Sequence, residues 1–292
     1  MRRTAIALLL AAALPASFAV PALAACPDAT VIGRLAADWA SMTPSGGLAK
    51  DMSMADAECG RDKLVAEIAK TQGRLVGYKA GLTNKAVQQR FGYDAPVRGN
   101  LYEKMLLQDG AEVPAKFGAR AVFEADLVVE VKDEGINAAK TPAEVLAHVS
   151  KIYPFIELPD LVLDPKETLN GPAIAAINVG ARLGVLGKPI AAEASHLEPL
   201  AKMTVILRDD SDVSAPGGKE LGKGPGSAIL DHPLNAVIWI AQDVAKSGGK
   251  LRAGDLLSLG SFSPLVPPKP GMAIRVTYEG FPGTPSVTVR FK

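Results

Sequence analysis

Residues 122–131 read VFEADLVVEV. In one extended strand successive side chains alternate between the two faces. Phe123, Ala125, Leu127 and Val129 then share one face, and Glu124, Asp126, Val128 and Glu130 share the other. An alternation this regular predicts a strand laid on a core, so the fold is built around sheet. It also sets two carboxylates side by side, where they repel. The plain alternative is the solvated face of an antiparallel strand. A third acid argues for more: Glu157, in KIYPFIELPDLVL, stands between Ile156 and Leu158. An ionised carboxylate buried without a partner is costly or shifts its pKa. Three acids on core-like strands suggest a hard cation, and all-oxygen ligation fits Mg²⁺ or Mn²⁺ better than zinc.

Outward from this strand the chain alternates between helical and extended patterns. Residues 27–75 predict helices, broken by a polar loop near Pro44–Gly47. RLVGYKAGL predicts a short strand ending in glycines, and Thr83 is placed to cap a short helix, NKAVQQRFG, closed by Gly92. Strands are expected near 101–107, 120–131 and 152–158, with TPAEVLAHVSK a helix carrying Pro142 in its first turn. NGPAIAAINVGARLGVLG predicts short strands and glycine turns, and KMTVILRDDSDVSAPGG a hairpin arm. The clearest helix is DHPLNAVIWIAQDVAKSGG, capped by Asp231 or His232, with Leu234, Val237, Ile238, Ala241, Val244 and Ala245 in one stripe. Strands joined by Gly/Pro turns complete the chain. No repeat or linker divides it, so the expectation is an α+β fold: one mixed, mainly antiparallel sheet domain with flanking helices over residues 25–292, its part 25–75 helical and its part 76–292 β-rich.

Composition narrows the function. The chain has 292 residues, is 48% hydrophobic and 22% charged, and carries a net charge of +1. It lacks the basic surplus of a nucleic-acid binder, and aromatics at 5% provide little for base stacking. Three histidines argue against a His-rich metal site. Residues 1–24 have the pattern of a signal peptide: cationic MRRT, an apolar run too short to span a bilayer, and Ala22-Leu23-Ala24 for cleavage. The chain is therefore expected to be exported to the periplasm. Leu23-Ala24-Ala25-Cys26 also fits a lipoprotein box, so a membrane anchor through Cys26 is an alternative, disfavoured by the Pro- and Ser-containing break ahead of it. With two cysteines in an oxidising compartment, Cys26 and Cys59 are a disulfide candidate. GARLGVLGKP does not fit a phosphate loop, because Pro189 stands where Ser or Thr is needed. Lys79, between Gly77-Tyr78 and Ala80-Gly81, is either a surface lysine in a turn or a cation at a close-approach site.

Five segments in order, GYKAGLTNKAVQQRFGYDAPVRGNLY, FEADLVVEV, YPFIELPD, GPGSAILDHPLNAVIWIA and LRAGDLLSLGSFSPLV, carry a resemblance running from about Gly77 to the C-terminus. The chain resembles the fumarylacetoacetate hydrolase superfamily, in its 2-keto-4-pentenoate hydratase and 4-oxalocrotonate decarboxylase branch. The resemblance implies a β-roll, a divalent metal held by Glu124, Asp126 and Glu157, and a small 2-oxo acid substrate chelating that metal. It assigns Lys79 to the active site, and places Asn178, His232 and Ser261 where substrate binds. It implies a lyase of hydratase or decarboxylase type, and relatives often form homo-oligomers. Where hydratases carry an acid after Pro96, this chain has Val97-Arg98, which leaves Asp94 as the substitute; a second acid is replaced by Ile177. These losses keep a non-catalytic periplasmic binding protein for a 2-oxo or dicarboxylic acid as the alternative. An acylpyruvate-type C–C hydrolase is a further one, and it needs a Glu–His pair that the sequence does not supply.

Overall fold

The structure, a computed structural model, describes residues 26–292. The expected signal segment lies outside the described residues. Asp28 accepts hydrogen bonds from the Thr30 and Val31 amides and starts α1 (Ala29–Ser41), and Ser53 and Asp56 close a capping box on α2 (Met54–Gln72). The disulfide between Cys26 and Cys59 forms, tying the segment ahead of α1 to α2. The chain continues through β1 (Leu75–Gly81), α3 (Lys85–Arg90), β2 (Val97–Tyr102), β3 (Leu106–Gln108), β4 (Ala111–Val113), β5 (Glu124–Val131), α4 (Pro142–Ala147), β6 (Val149–Leu158) and α5 (Gly171–Ala176). It ends with β7 (Leu183–Leu186), β8 (Ile190–Ala191), α6 (Leu197–Lys202), β9 (Thr204–Asp209), β10 (Lys219–Pro225), α7 (Pro233–Lys246), β11 (Leu256–Ser258), β12 (Ala273–Glu279) and β13 (Ser286–Phe291).

The strands form two sheets. An eight-stranded sheet runs β2-β1-β11-β5-β6-β7-β3, with β8 alongside β6, and a five-stranded sheet runs β10-β9-β12-β13-β4. Among the described residues the strand pairs β1–β11, β3–β7 and β4–β13 are parallel and the other strand pairs antiparallel. The architecture is thus the mixed, mainly antiparallel α+β fold with flanking helices that the sequence predicts. The main core lies between the sheets: Leu127, Val129 and Ile156 pack in one cluster with Val205, Ile274, Val289 and, from α7, Val237 and Ile240.

The alternation in β5 is realised. Its odd-numbered residues from Phe123 to Val131 face this core. Its even-numbered face is not a solvated one: Asp126 and Val128 are fully buried, Glu124 is part-exposed toward the site, and Glu130 is part-exposed and bonded by Ser150, Lys151 and Tyr153.

Several local expectations need correction. Residues 171–176 form α5 instead of strands and turns, because the Asn170 side chain accepts from the Ala173 amide and Pro172 suits a first helical turn. Asn84, not Thr83, caps α3. In α7 the buried stripe takes in Ala236 and Ile240, while Ala245 is exposed.

The disulfide closes a loop of 33 residues. Reducing it, or replacing both cysteines by serine, is expected to lower the unfolding free energy by about 4 kcal/mol in the chain-entropy account. Urea denaturation with and without reductant measures this; an unchanged midpoint would rule out the link as a support of the N-terminal helices.

Candidate active site

Strand register brings the charged groups together. Glu124 on β5 is directly opposite Glu157 on β6. Ser258 on β11 pairs with Val128 on one side and Lys79 on the other. Lys79, Ser258, Asp126, Glu124 and Glu157 therefore share one face of the large sheet. Lys79 is 2% exposed and Glu157 3%. The Lys79 ammonium donates to Glu157 Oε1 and, at 2.9 Å, to the Val179 carbonyl. Glu157 Oε2 is buried without a partner.

The neighbouring acids show the cost of this crowding. Burial, then the charge of Glu157, raises the Glu124 carboxyl well above the usual carboxylate range; Lys79 and a hydrogen bond with Ser261 act the other way. Burial and Glu157 push Asp126 up to about 7, against the stabilising bonds from Ser258 and the Leu127 amide. Asp126 is the best satisfied of the three. Its carboxylate accepts from the Ser258 hydroxyl at 2.5 Å, the Gly260 amide at 2.9 Å and the Leu259 amide at 3.2 Å. These donors come from the end of β11 and the turn after it, where Gly260 has φ +115 and a Cβ would lie 2.0 Å from Thr83 Oγ1.

A cavity of about 100 Å³ opens onto Lys79, Glu124 and Glu157. Thr83, Asn84, Ser261 and Ser263 add polar groups, and the remaining wall is mostly apolar. Part of this wall is a left-handed turn: Asn178, Val179 and Gly180 have φ of 56, 54 and 66°. This conformation is rare for a β-branched residue. The Asn178 side chain holds it, accepting from the Asn100 amide at 2.7 Å and donating to the Asn100 carbonyl at 3.0 Å. Gly81 and Gly99 leave room: a Cβ on Gly81 would meet Val179 Cγ1 at 2.4 Å, and one on Gly99 would meet the Asn178 carbonyl oxygen at 2.6 Å.

The structure sorts the sequence-derived site residues. Lys79, Glu124, Glu157 and Ser261 border the cavity. Four others do not. Asp126 lies beneath it, bound to main-chain amides. Among the described residues no cluster of three His, Cys, Asp or Glu side chains is arranged to hold a metal ion, so the trio is not a preformed cradle. Asp94 is exposed and outside the cavity, on the loop that leaves Gly92 at φ +60, so it does not replace the lost acid. Asn178 is fully buried, with its amide used up on Asn100. His232 is the α7 cap: its Nδ1 accepts from the Leu234 amide, its Nε2 donates to the Leu197 carbonyl, and burial lowers its pKa. Thr83 is read from the sequence only as a helix cap and Ser263 not at all; their places beside KAGL and in the SFSPLV turn are the only hints of a site role.

The donor set nevertheless suits a divalent cation. Three carboxylates face one ammonium, one carboxylate oxygen is unpaired, and Glu124 and Glu157 both open to the cavity. All candidate donors are hard oxygens. In metal-free protein, Asp126 binds its proton more tightly when folded than when unfolded, where carboxylates titrate near pH 4. Stability is therefore expected to fall as pH rises from about 4 to 7, by up to about 1.4 kcal/mol per pH unit for one such group. Thermal melts in chelator across this range check the sign; stability rising over the interval would contradict it.

No family model matches the chain. A 2-keto-4-pentenoate hydratase from Paraburkholderia xenovorans is 31% identical over 199 residues, 68% of this chain and 70% of that protein. 2-Keto-4-pentenoate hydratase 1 of Dechloromonas aromatica is 31% identical over 208 residues, 71% of this chain and 75% of its own. Among solved structures, the 4-oxalocrotonate decarboxylase from Pseudomonas putida G7, complexed with magnesium and adipate, superposes with a TM-score of 0.74 at 24% identity, covering 90% of this chain and 97% of its own. The chain belongs to the 2-keto-4-pentenoate hydratase family, within the fumarylacetoacetate hydrolase fold.

Proposed function

We propose that the protein is a divalent-metal-dependent lyase acting on a small 2-oxo or 2-hydroxydienoic acid, by hydration or decarboxylation. The carrying observation is the buried Lys79–Glu157 pair at the cavity floor, with Glu157 Oε2 unpaired and Glu124 beside it. Relatives named as 2-keto-4-pentenoate hydratases and a neighbour bound to magnesium support the reading. Glu124 and Glu157 would hold the metal directly, with Asp126 as the third carboxylate behind them. Mg²⁺ or Mn²⁺ there would supply Lewis-acid stabilisation of an enolate at the 2-position.

The chain's own residues have separate tasks. Lys79 places a positive charge where negative charge develops, preorganised by Glu157 and the Val179 carbonyl. It is also the proton-handling group left at the floor once the two glutamates bind metal. Ser261, hydrogen-bonded to Ser263, orients polar substrate atoms beside Glu124. The apolar wall limits water.

A non-catalytic binding protein is the second reading. It is favoured by Val97, which lies on the Lys79 face and packs into an apolar cluster with Leu82, Phe91 and Ile174 where an acid was expected. The C–C hydrolase finds no support, since none of His148, His196 and His232 borders the cavity. We also infer export to the periplasm: the Cys26–Cys59 link suits an oxidising compartment and uses the sulfur that a lipid anchor would need.

The test is metal-dependent loss of ultraviolet absorbance from 2-hydroxypenta-2,4-dienoate. Lys79→Met is expected to lower kcat about 10²–10³-fold. Calorimetric titration should show Mn²⁺ binding to wild type and not to Glu124→Ala. Equal affinity in both removes the metal site; ligand-induced stabilisation without turnover selects the binding protein.

A further inference from the structure

We infer that a second cavity, separate from the active site, binds a small carboxylate anion. It lies between α2, the start of β2, α5 and α7, and has a volume of about 90 Å³. By the share of volume that a liquid water takes, about three waters or a carboxylate of that size fit. Arg61 and Arg98 border it, 2% and 6% exposed. A buried charge is tolerated when its partners complete it. Arg98 is complete: it pairs with Asp243 at 2.7 Å and donates to Asn100 and Ser247. Arg61 is not. Among the described residues its one carboxylate partner is Asp62, whose side chain is 60% exposed, and both bonds fall on the same oxygen. Its remaining contact is the Arg98 carbonyl at 3.4 Å. A guanidinium carries more N–H donors than these contacts use, so Arg61 holds donors in reserve beside the cavity.

The other polar groups on the lining suit the same ligand. Tyr93 brings a hydroxyl; burial, then the charges of Glu58, Asp94 and Asp243, raise its pKa, so it is a donor at neutral pH. Lys246 adds an exposed ammonium. With Arg98 and Asp243 cancelling, Arg61 and Lys246 face Glu58 as the remaining acid of the lining. A guanidinium fork takes carboxylate and phosphate alike, so the acids decide between them. Glu58 and Asp243 oppose a phosphate dianion more strongly than a monocarboxylate. Val97 and Ala175 line this cavity and also pack with Leu82, Phe91 and Ile174, which border the active site. The two cavities thus share a wall and have no lining residue in common.

Trp239, on the lining, supplies the signal. Acetate is titrated into the protein in chelator at constant ionic strength, and tryptophan emission is followed. A saturable change is expected, and it should vanish in Trp239→Phe. Arg61→Lys, which keeps the charge and loses the fork, should weaken acetate binding about tenfold or more. Glu58→Gln, at a part-exposed position, should tighten it about threefold, so the test stands even where Arg61→Lys fails to fold. Lys79→Met, in the other cavity, should change the affinity less than about twofold. Inorganic phosphate should bind about threefold more weakly than acetate, or worse. No saturable change in the wild type, a change that survives Trp239→Phe, unaltered affinity in Arg61→Lys, or weaker binding in Glu58→Gln overturns the inference. Loss of binding in Lys79→Met assigns the acetate to the active site and overturns it equally. Phosphate binding as tight as that of acetate overturns the choice of a carboxylate.

Discussion

The buried Lys79–Glu157 pair is the constraint around which the other parts of the site are arranged. An ammonium and a carboxylate taken out of water each lose several kcal/mol of hydration, and their attraction offsets this only when further hydrogen bonds complete both groups. The ammonium has them, from Glu157 and the Val179 carbonyl; the carboxylate does not, since Oε2 is unpartnered. Two further acids stand beside it, and burial, then the charge of Glu157, raises both above the usual carboxylate range. A site left in electrostatic deficit in this way is primed to bind positive charge. That separates it from the Arg98–Asp243 pair on the opposite sheet face, where the guanidinium also bonds Asn100 and Ser247.

Such a deficit is tolerated because the sheet is held from its other side. Tyr278, fully buried on β12, donates its hydroxyl to the Asp126 carbonyl and accepts from the Phe155 amide, fastening β5 to β6 where the acids lie. Leu127, Val129 and Ile156 are buried in the intersheet core within the same few residues. Apolar burial on one face thus stabilises the strands whose other face is electrostatically strained, and the period-two alternation of β5 lets a single segment serve both.

That division explains which features were legible in the sequence. Alternation along 122–131, Pro142 in the first turn of α4, the cap of α7 and the pairing of the two cysteines are local or combinatorial signals, and they carried over. The face shared by Glu124 and Asp126 followed from alternation alone; that Glu157 joins it depends on the β5–β6 register. What Asp126 touches did not, because its donors arrive from Ser258, Leu259 and Gly260, more than 130 residues away. The left-handed turn at Asn178–Gly180 was hidden for a similar reason. Local preference opposes Val179 there, and the conformation is held by Asn100 and by the space left at Gly81 and Gly99. His232 was ambiguous from sequence, since a cap and a ligand require the same residue at the same place.

The fate of the residues after Pro96 bears most directly on chemistry. Register pairs Val97 with Gly81, Arg98 with Ala80 and Gly99 with Lys79. Alternation then puts Val97 on the Lys79 face and Arg98 on the reverse, where it meets Asp243 and the Tyr78 ring. A charged residue at position 98 cannot compensate for an apolar one at 97, because the sheet points them in opposite directions. With Asp94 out in solvent and Ile177 packed among apolar neighbours, no third acid reaches the cavity. Under the proposed lyase reading, proton movement falls to Lys79 and to water admitted past the apolar wall, and that wall then governs how easily the water arrives.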